Sequence, residues 1–409
     1  MKVLHIGFTD YGGAGKGMLY LHRALKEAGV DSHILVAEKF SPSDDITCAE
    51  RNLNLYSYSK NKYFRFFQKT VRKRGWGLHL IDKYRRRIGK IPASETCFFT
   101  FPITNYDISG HPLVKEADII HLHWIANFVD FPSFFRNINK SIVWTLRDLN
   151  PGMGGFHYKG DVSKHGDYYA SIEKDFLEIK RNGLSACHDL TLVAMTDEMM
   201  SFCANNDLLR TFPVKRIDGL INFSQYDSLP QSLAKKALGL DESVFSVLFV
   251  AVNLGDPNKG LKTVFEALGL LPFAALLICV GRNNYFDSIP DRVVFLNTVD
   301  SERLMSVIYS AADVFVSPST QESFGKTTIE ALSCGTPIIS SETGIAPEVI
   351  TPDNGILLDE ISAEAVAQAI IKVHGIEYDR ESIRKQTLDR FAPGKIVKQY
   401  IDLYEELIS

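Results

Sequence analysis

The sequence contains few features that would cross-link the fold or anchor the protein in a membrane. Its six cysteines lie far apart with no C-x-x-C pair, so neither a disulfide framework nor a zinc ribbon is predicted. A reducing compartment fits this cysteine usage best. No apolar run reaches the roughly 18 residues of a membrane span, and the opening MKVLHIGF is too short for a signal sequence. We therefore expect a protein that is neither exported by that route nor membrane-spanning.

The net charge is also small, since 45 basic and 49 acidic residues give −4, which favours neither a nucleic-acid binder nor an acidic tail. One stretch departs from this average. Residues 60–90 contain twelve Lys or Arg and one acid, Asp82, and are interrupted by the aromatic rings of Tyr63, Phe64, Phe66, Phe67 and Trp76. This mixture is typical of a helix that lies on an anionic membrane. A solvated helix face and a nucleic-acid surface are the alternatives, and nothing else in the sequence favours nucleic acid.

At 409 residues the chain exceeds the roughly 250 to 300 at which one hydrophobic core stops growing, so two domains are expected. Short β-branched runs alternate with helix-period segments almost from end to end, which predicts an α/β fold of parallel βαβ units. We predict a first domain over residues 1–222 and a second over residues 223–394. The remaining residues, 395–409, contain a helix, Lys395–Ile408, that is expected to cross back to the first domain.

Each half is expected to form its own open parallel sheet. The predicted strands of the first half are Val3–Phe8, His33–Ala37, Ile119–Leu122, Ile142–Leu146 and Leu192–Met195, with Gly17–Ala28 as the first crossover helix. Those of the second half are Ser246–Val252, Leu276–Val280, Val293–Leu296, Val314–Ser317, Ile338–Ser340 and Ile356–Leu358, with helices such as Leu261–Leu270 and Glu302–Ala311 between them.

A glycine-rich stretch, residues 12–17, follows the first predicted strand and runs into a helix. Glycines let a backbone approach a ligand closely, and a helix N-terminus offers free N–H groups to an anion. The spacing matches neither the P-loop nor the dinucleotide fingerprint, because Asp10 and Met18 stand where those motifs need glycine. A tight turn without a ligand is the alternative interpretation.

The strongest motif covers residues 319–337 and contains two glutamates eight positions apart, Glu322 and Glu330. A helix start at residues 325–327 would present its N–H groups in the same place, a geometry that suits a sugar together with its phosphates. Both glutamates can face one ligand only if the helix begins between them. The alternative is a pair of solvated surface acids.

His121 lies in the predicted strand Ile119–Leu122, and His123 follows that strand directly. Strand alternation sends both side chains to the same side of the sheet. His123 lies nearer the carboxyl end of the strand, where α/β sheets bind ligands, so it is the better candidate for a functional residue. A purely structural role is the alternative.

Four motifs in chain order resemble the retaining glycosyltransferases of family 4, the group 1 transferases of GT-B fold. They are the Gly12–Ala14 opening, the turn Asp256–Gly260, the Glu322–Glu330 block with Gly335–Pro337, and Trp144–Asp148 followed by Gly154–Tyr158. The last is similar to the T-L-H-D…T-G-G-C-H-Y pattern of the branch that builds exopolysaccharide and colanic-acid-like glycans. The resemblance spans the whole chain and implies two Rossmann-like domains that face a central cleft.

This resemblance implies a role for each matching residue. Glu330 would hold the ribose hydroxyls of a nucleoside diphosphate, and Glu322 would face the donor sugar. Lys259 would contact the diphosphate, and His123 would bond the transferred sugar and support positive charge at its anomeric carbon. The catalytic residues implied are therefore His123, Glu322 and Lys259.

The resemblance also implies two sets of binding residues. The donor-binding residues are Gly13, Ala14, Gly15, Asn253, Lys259, Arg282, Ser323, Phe324, Gly325, Lys326, Thr327 and Glu330, and the acceptor-side residues are Asp148, His157 and Tyr158. Two positions depart from the family pattern. Asn253 stands where an arginine is usual, so that Arg282 or Lys326 would supply the missing cation, and Arg147 stands where a histidine is usual.

We therefore expect a retaining, metal-independent glycosyltransferase without a cofactor. It would move a sugar from a nucleoside diphosphate sugar to a hydroxyl of a glycan or lipid-linked glycan in surface polysaccharide synthesis. It would act in the cytoplasm on the inner face of the membrane, held to anionic lipid by residues 60–90, with no nucleic acid as a partner. The alternatives are a nucleotide-sugar-binding GT-B protein without transferase activity and a GT-B sugar-nucleotide epimerase.

Overall fold

A computed structural model describes residues 1–51, 80–283 and 291–409, without the side chain of Leu80. The chain divides into two compact units. Unit 1 consists of Met1–Ile217 and Val397–Ser409, and unit 2 is Asp218–Ile396. Residues 218–222, which the sequence assigned to the first domain, fall in unit 2 because Asp218 pairs with Arg390 at 3.6 Å and Gly219 packs against the ring of Phe324.

Unit 1 is built on a sheet of seven parallel strands in the order β3-β2-β1-β4-β5-β6-β7. The strands are β1 (Lys2–Thr9), β2 (Asp31–Glu38), β3 (Ile46–Cys48), β4 (Ile119–Leu122), β5 (Ser141–Thr145), β6 (Leu190–Ala194) and β7 (Val214–Arg216). The two edge strands, β3 and β7, were not predicted, because each is three residues long and, unlike the predicted Val293–Leu296, is not a continuous apolar run. The chain order reverses between β1 and β4, and in open parallel sheets ligands bind at such a switch point.

The helices described in unit 1 are α1 (Gly12–Glu27), α2 (Leu80–Ile88), α3 (Pro112–Glu116), α4 (Phe131–Asn137), α5 (Lys159–Leu184) and α6 (Asp197–Asn205). Helix α1 begins five residues before the predicted Gly17, so the glycine-rich stretch is its first turn rather than a loop. A Cβ on Gly15 would lie 2.5 Å from the backbone carbon of Asp10, which explains why only glycine lets the helix start this close to the strand.

Unit 2 contains six parallel strands in the order β10-β9-β8-β11-β12-β13. The strands are β8 (Phe245–Asn253), β9 (Ala275–Arg282), β10 (Val293–Phe295), β11 (Val314–Ser317), β12 (Ile338–Ser341) and β13 (Gly355–Leu358). The helices described are α7 (Gln231–Ala237), α8 (Leu261–Leu268), α9 (Glu302–Ala311), α10 (Lys326–Ser333), α11 (Ala346–Val349), α12 (Ala363–His374) and α13 (Arg380–Arg390). The order of strands reverses between β8 and β11. The predicted α/β class with two parallel sheets is confirmed.

The last helix, α14 (Pro393–Ile408), returns the chain to unit 1 from Val397 onward. Two of its tyrosines reach the core of that unit. The hydroxyl of Tyr404 lies 2.6 Å from Nδ1 of His121, and the hydroxyl of Tyr400 lies 3.1 Å from Oγ1 of Thr145. The helix therefore forms part of the wall behind the strand β4.

The cationic stretch is described only at its carboxyl end, and residues 60–79 lie outside the described residues. In α2 the ring of Tyr84 is buried against Phe176, and Arg87 donates to Asp175 at 2.6 Å and to Ser171 at 2.7 Å. This face of α2 therefore packs on the long helix α5. In the described part of the chain, no helix has both the length and the apolar character needed to cross a bilayer.

A buried histidine links α1 to the strand β2. His22 is 3% exposed, its Nδ1 lies 2.8 Å from the hydroxyl of Ser32, and its Nε2 lies 3.8 Å from Asp45. Burial lowers the pKa of His22 to about 4, and the nearby carboxylate of Asp45 offsets only part of this effect. Because the unfolded chain takes up a proton near pH 6.5 and the folded protein does not, stability is complete above that pH and is lost as the pH falls below it.

We predict that replacing His22 with asparagine, which keeps a hydrogen-bonding group near Ser32 but does not titrate, reduces this acid sensitivity. The wild-type protein should lose about 2 kcal/mol more stability than His22→Asn between neutral pH and about pH 5. Urea unfolding of both proteins at the two pH values measures the difference. Equal losses in the two proteins would contradict a neutral, buried His22.

Candidate functional site

In unit 2 the helix α10 begins at Lys326, between the two glutamates of the strongest motif. Its N-cap is Gly325, which adopts the left-handed conformation with φ of 82° and has no side chain to cap the helix. The first turn carries no acidic residue. The N–H groups of this turn are thus directed outward without a capping side chain and with the positive end of the helix dipole, an arrangement that attracts an anion.

Lys259 and Glu322 form an ion pair, with Nζ and Oε1 2.6 Å apart. Lys259 ends a short 3₁₀ turn after β8, and Glu322 lies in the loop after β11. The two loops are tied together, since the N–H of Thr320 donates to the carbonyl of Asn258 at 2.9 Å. Gly260 permits this approach, because its φ is 77° and a Cβ there would lie 2.8 Å from the carbonyl oxygen of Pro318.

Glu330 is 6% exposed, so it is not a solvated surface acid. Its carboxylate accepts a hydrogen bond from the hydroxyl of Tyr309 at 3.0 Å and lies 3.4 Å from Nζ of Lys326. Burial and the charge of Glu330 together raise the pKa of Tyr309 well above its usual value, so this tyrosine stays a donor. A carboxylate has about four acceptor positions, which leaves capacity for the hydroxyls of a ligand.

Tyr309 and Tyr226 are site residues that the sequence did not indicate. Tyr226 is 2% exposed, and burial followed by the charge of Glu330 raises its pKa. Tyr309 belongs to α9 and Tyr226 follows a 3₁₀ turn at 223–225, so neither is near the glutamates in sequence. The one signal in the sequence is the helical period, which places Tyr309 on the buried face of α9 but does not identify Glu330 as its partner.

Arg282, one of the two residues expected to replace the arginine of the family pattern at position 253, lies on the strand next to Asn253. Asn253 ends β8 and pairs with Arg282 at the end of β9, and Arg282 is exposed. Lys326 instead lies beside Glu330. Of the two predicted substitutes, Arg282 is therefore the one placed directly beside Asn253.

The remaining donor-side residues of unit 2 differ in exposure. Ser323 and Thr327 are partly exposed in the loop and in the first turn of α10. The ring of Phe324 is 7% exposed and packs edge-on to Phe391, while its carbonyl accepts from the N–H of Ile345 at 2.8 Å. Phe324 therefore holds the loop on the core instead of offering its ring to a ligand.

In unit 1 the site lies at the switch point between β1 and β4. His5 on β1 is paired in register with His121 on β4, and the rings of His121 and His123 stack with centroids 4.2 Å apart. A small cavity at this point is lined by Ala14, Gly15 and His123, among others. The first turn of α1 and the predicted catalytic histidine are thus brought together, with Gly13 in the same turn.

His123 is 2% exposed, and both of its ring nitrogens have partners. Its Nε2 lies 2.9 Å from Nδ1 of His5, and its Nδ1 lies 3.0 Å from a terminal nitrogen of Arg147. The nitrogens of His121 are likewise engaged by Tyr404 at 2.6 Å and Thr145 at 2.7 Å. Both ring nitrogens of His123, which was expected to contact a sugar, therefore already have partners within the protein.

The three histidines form the one group among the described residues whose ligand atoms are close enough for a metal ion, all lying within 4.8 Å. Their environment opposes a metal, because a site formed by His5, His121 and His123 would disrupt the hydrogen bonds just described and place a cation beside Arg147. Burial lowers the pKa of all three imidazoles well below its usual value. The cluster is a network of neutral, hydrogen-bonded rings.

The predicted acceptor-side residues Asp148 and His157 are buried and bonded to each other, with 2.6 Å between Oδ2 and Nδ1. Asp148 also accepts from the indole of Trp124 at 2.6 Å, and Nε2 of His157 lies 2.9 Å from the hydroxyl of Thr100. These groups support the wall of the site, and their side chains are already used. Tyr158 is partly exposed and precedes α5 as its N-cap.

A buried lysine that the sequence did not indicate holds the next loop. Nζ of Lys180 donates to the carbonyls of Asn150 at 2.5 Å and of Met153 at 2.7 Å, and burial lowers its pKa to about 7. Lys180 lies on α5, 27 positions beyond Met153, so sequence proximity could not reveal the contact.

Comparison with solved structures defines the fold. Sucrose-phosphate synthase from Thermosynechococcus elongatus matches with a TM-score of 0.66 and 20% identity, over 100% of this chain and 99% of that chain. HepE from Anabaena in complex with UDP and glucose matches with a TM-score of 0.65 and 16% identity, over 100% of both chains. The two Rossmann-like units thus constitute the GT-B fold of glycosyltransferases.

Sequence comparison is more specific. Residues 245–375 match the family model of the group 1 glycosyl transferases. An uncharacterized glycosyltransferase of Methanocaldococcus jannaschii is 26% identical over 71% of this chain and 76% of its own length. An uncharacterized protein of the cps region of Klebsiella pneumoniae is 29% identical over 99% of both chains.

A third relative, the O-antigen chain mannosyltransferase B of Escherichia coli, is 28% identical over 41% of this chain, and the match covers 49% of that protein. The chain therefore spans about half the length of this relative. The chain is thus similar to group 1 glycosyltransferases over residues 245–375, and to further glycosyltransferases over longer stretches.

Proposed function

We propose that the protein transfers a sugar from a nucleoside diphosphate sugar to a hydroxyl of a glycan or lipid-linked glycan in surface polysaccharide synthesis, with retention of the anomeric configuration. The observation that carries the proposal is in unit 2, where Glu322 and Glu330 flank the uncapped start of α10 and Lys259 is paired with Glu322. HepE, which shares the fold, binds UDP and glucose, and one relative lies in a cps region.

Each group of this site has a chemical task in the proposed reaction. The buried carboxylate of Glu330, held by Tyr309, accepts hydrogen bonds from the two ribose hydroxyls. The diphosphate lies against the N–H groups of α10 and the ammonium of Lys259, which stabilise the charge that develops as the anomeric bond breaks. Since these groups supply the positive charge, the proposed reaction is metal-independent.

The pairing of Lys259 with Glu322 also couples donor binding to sugar contact. In the free protein the ammonium is balanced by the carboxylate at 2.6 Å. When the diphosphate draws Lys259 to itself, Glu322 regains acceptor capacity and turns it to the hydroxyls of the donor sugar. The leaving diphosphate takes the proton of the acceptor hydroxyl on the same face, which is how the configuration is retained.

The nucleotide assignment is tested by replacing Glu330 with glutamine, which keeps an acceptor for Tyr309 and removes the charge. We expect the affinity for UDP, GDP or ADP, whichever binds, to fall by about 1.5 to 3 kcal/mol, the range for hydrogen bonds to a charged group. Isothermal calorimetry measures it, with Glu342→Gln, an exposed glutamate after β12, as the matched control. Unchanged affinity in folded Glu330→Gln would remove the ribose assignment.

The reaction is tested by incubating the protein with UDP-, GDP- and ADP-sugars and a panel of free and lipid-linked saccharides, with product analysis by NMR. We expect one donor to give a product of unchanged anomeric configuration, and Lys259→Met to lower turnover by about a hundredfold or more. A product of inverted configuration would refute the retaining mechanism. A Lys259→Met protein that is as active as the wild type would remove Lys259 from the chemistry.

We also propose that the enzyme lies on the inner face of the cell membrane, attached to anionic lipid through residues 60–90. In the described end of this stretch, Lys83, Arg85 and Arg86 are exposed, whereas Arg87 pairs with Asp175. Each cation near an anionic leaflet contributes about 1 kcal/mol, so several together are sufficient for attachment.

Liposome co-sedimentation tests this attachment. The test variant replaces Arg72, Lys73, Arg74, Lys83, Arg85 and Arg86 with glutamine and leaves Arg87 in place. The control variant replaces six exposed cations elsewhere, Lys236, Lys262, Arg303, Lys372, Lys385 and Lys398. We expect anionic vesicles to retain the wild type and the control at low salt and to release about nine-tenths of the test variant. Wild-type protein that does not co-sediment with anionic vesicles at low salt would refute the attachment.

A further inference from the structure

Arg147, two residues beyond the end of β5, forms no ion pair with an acid among the described residues of unit 1. One terminal nitrogen donates to Nδ1 of His123 at 3.0 Å, and the other points at the sulfur of Met195 at 3.4 Å. Its Nε is buried and has no partner among the described residues. Burial lowers the pKa of Arg147, but a guanidinium remains charged at neutral pH.

The neighbouring acid does not neutralise it. Asp148 accepts from the indole of Trp124, from the ring of His157 and from the backbone N–H of Asn150, so its oxygens are directed elsewhere. Residues 52–79, the part of unit 1 outside the described residues, contain no aspartate or glutamate. A partly buried cation without a carboxylate partner is costly, and such groups are retained where a ligand completes them.

The histidine beside Arg147, His123, accepts a hydrogen bond from its guanidinium and carries no charge that would attract or repel an anion. Arginine only donates, so Nδ1 of His123 must be the acceptor and its proton must be on Nε2. That N–H donates to Nδ1 of His5 at 2.9 Å, which places the proton of His5 on its Nε2. Both rings are therefore neutral, and the hydrogen-bonded chain ends in the guanidinium.

Helix α1 leaves space for the side chain of Arg147 and adds to the positive electrostatic potential around it. A Cβ on Gly17 would lie 2.8 Å from a terminal nitrogen of Arg147, so the guanidinium occupies space that exists because position 17 is glycine. The N-terminus of α1 has no side-chain cap and no acid in its first turn. Its dipole thus adds positive potential near the switch point.

We propose that Arg147 binds an oxyanion of a substrate, a phosphate or a carboxylate, in unit 1, and that His5 and His123 are positioning residues for its guanidinium. The planar fork of arginine matches the two oxygens of either group. That the anion belongs to a substrate rests on the proposed glycosyl transfer, whereas the binding of the anion does not. Two sources share this chemistry: a phosphate group and a carboxylate group of the acceptor.

The test is calorimetric titration of the full chain and of its Arg147→Met and Arg147→Lys variants in two arms. The first arm measures the affinity for UDP, which the proposed function places on unit 2 and which should therefore not change. The second measures the affinities for inorganic phosphate and glucuronate with UDP present at saturation, with glucose as the uncharged counterpart of glucuronate. Arg216→Met, which removes an arginine paired with Asp197 at 3.3 Å, is the control for loss of one positive charge from unit 1.

We expect Arg147→Met to weaken the binding of phosphate or glucuronate by about tenfold or more, Arg147→Lys to weaken it less, and Arg216→Met to have no effect. Loss of phosphate binding assigns a phosphorylated acceptor, and loss of glucuronate binding assigns an acceptor that carries a carboxylate. Equal affinities of the folded variants and the wild type in the second arm, or a loss of UDP affinity alone, would overturn the proposal. If Arg147→Met does not fold, Arg147→Lys and Arg147→His decide the same question.

The positioning role has its own readout, which sugar transfer does not affect. In ¹⁵N spectra of histidine-labelled protein we expect Nδ1 of His123 and Nδ1 of His5 to be unprotonated, and Arg147→Met to abolish this preference for His123. A proton on Nδ1 of His123 in the wild type would overturn the positioning role. Because neither binding nor these spectra require turnover, a failure of the proposed reaction would be distinguishable from a failure of this inference.

Discussion

Parallel strand pairing is the constraint on which both sites depend, because each lies where the order of strands in a sheet reverses. In unit 1 the reversal separates β1 from β4, so the chain leaves these neighbouring strands in different directions and opens a place for a ligand. The register of that pair sets His5 against His121. The pairing of β4 with β5 then brings Arg147, two residues beyond β5, to His123, and the helix α14 adds Tyr404.

The same constraint operates in unit 2 with different chemistry. Strands β8 and β11 are neighbours at the reversal, so the turn that ends in Lys259 and the loop that contains Glu322 leave the sheet side by side. The helix α10 then begins immediately after the loop, which brings its free N–H groups to the same edge. The pairing of β8 with β9 places Arg282 beside Asn253 in the same way.

The two units differ in how they balance charge. In unit 2 the cations Lys259 and Lys326 have carboxylates nearby, and the buried Glu330 is held by a tyrosine. Binding of a diphosphate there exchanges one anion for another at Lys259. In unit 1 Arg147 is held by neutral rings. An anion that binds at Arg147 would supply the negative charge that this arginine lacks. The site in unit 2 needs an anion that replaces a carboxylate, whereas the site in unit 1 needs one that adds a charge.

The sequence determined the class of fold, all strands except the edge strands β3 and β7, and the position of α10 between Glu322 and Glu330, since all of these follow from local periodicity and glycine. Its motifs also selected Lys259, Glu330 and His123. Only the tertiary structure decided which partners these residues have: Tyr309 for Glu330, and Arg147 with His5 for His123. Such contacts join residues that are far apart in the chain and depend on strand order and register, which one sequence does not encode locally. The neutral state of His123 therefore became evident only in the folded protein, because it follows from burial and from an arginine that can only donate.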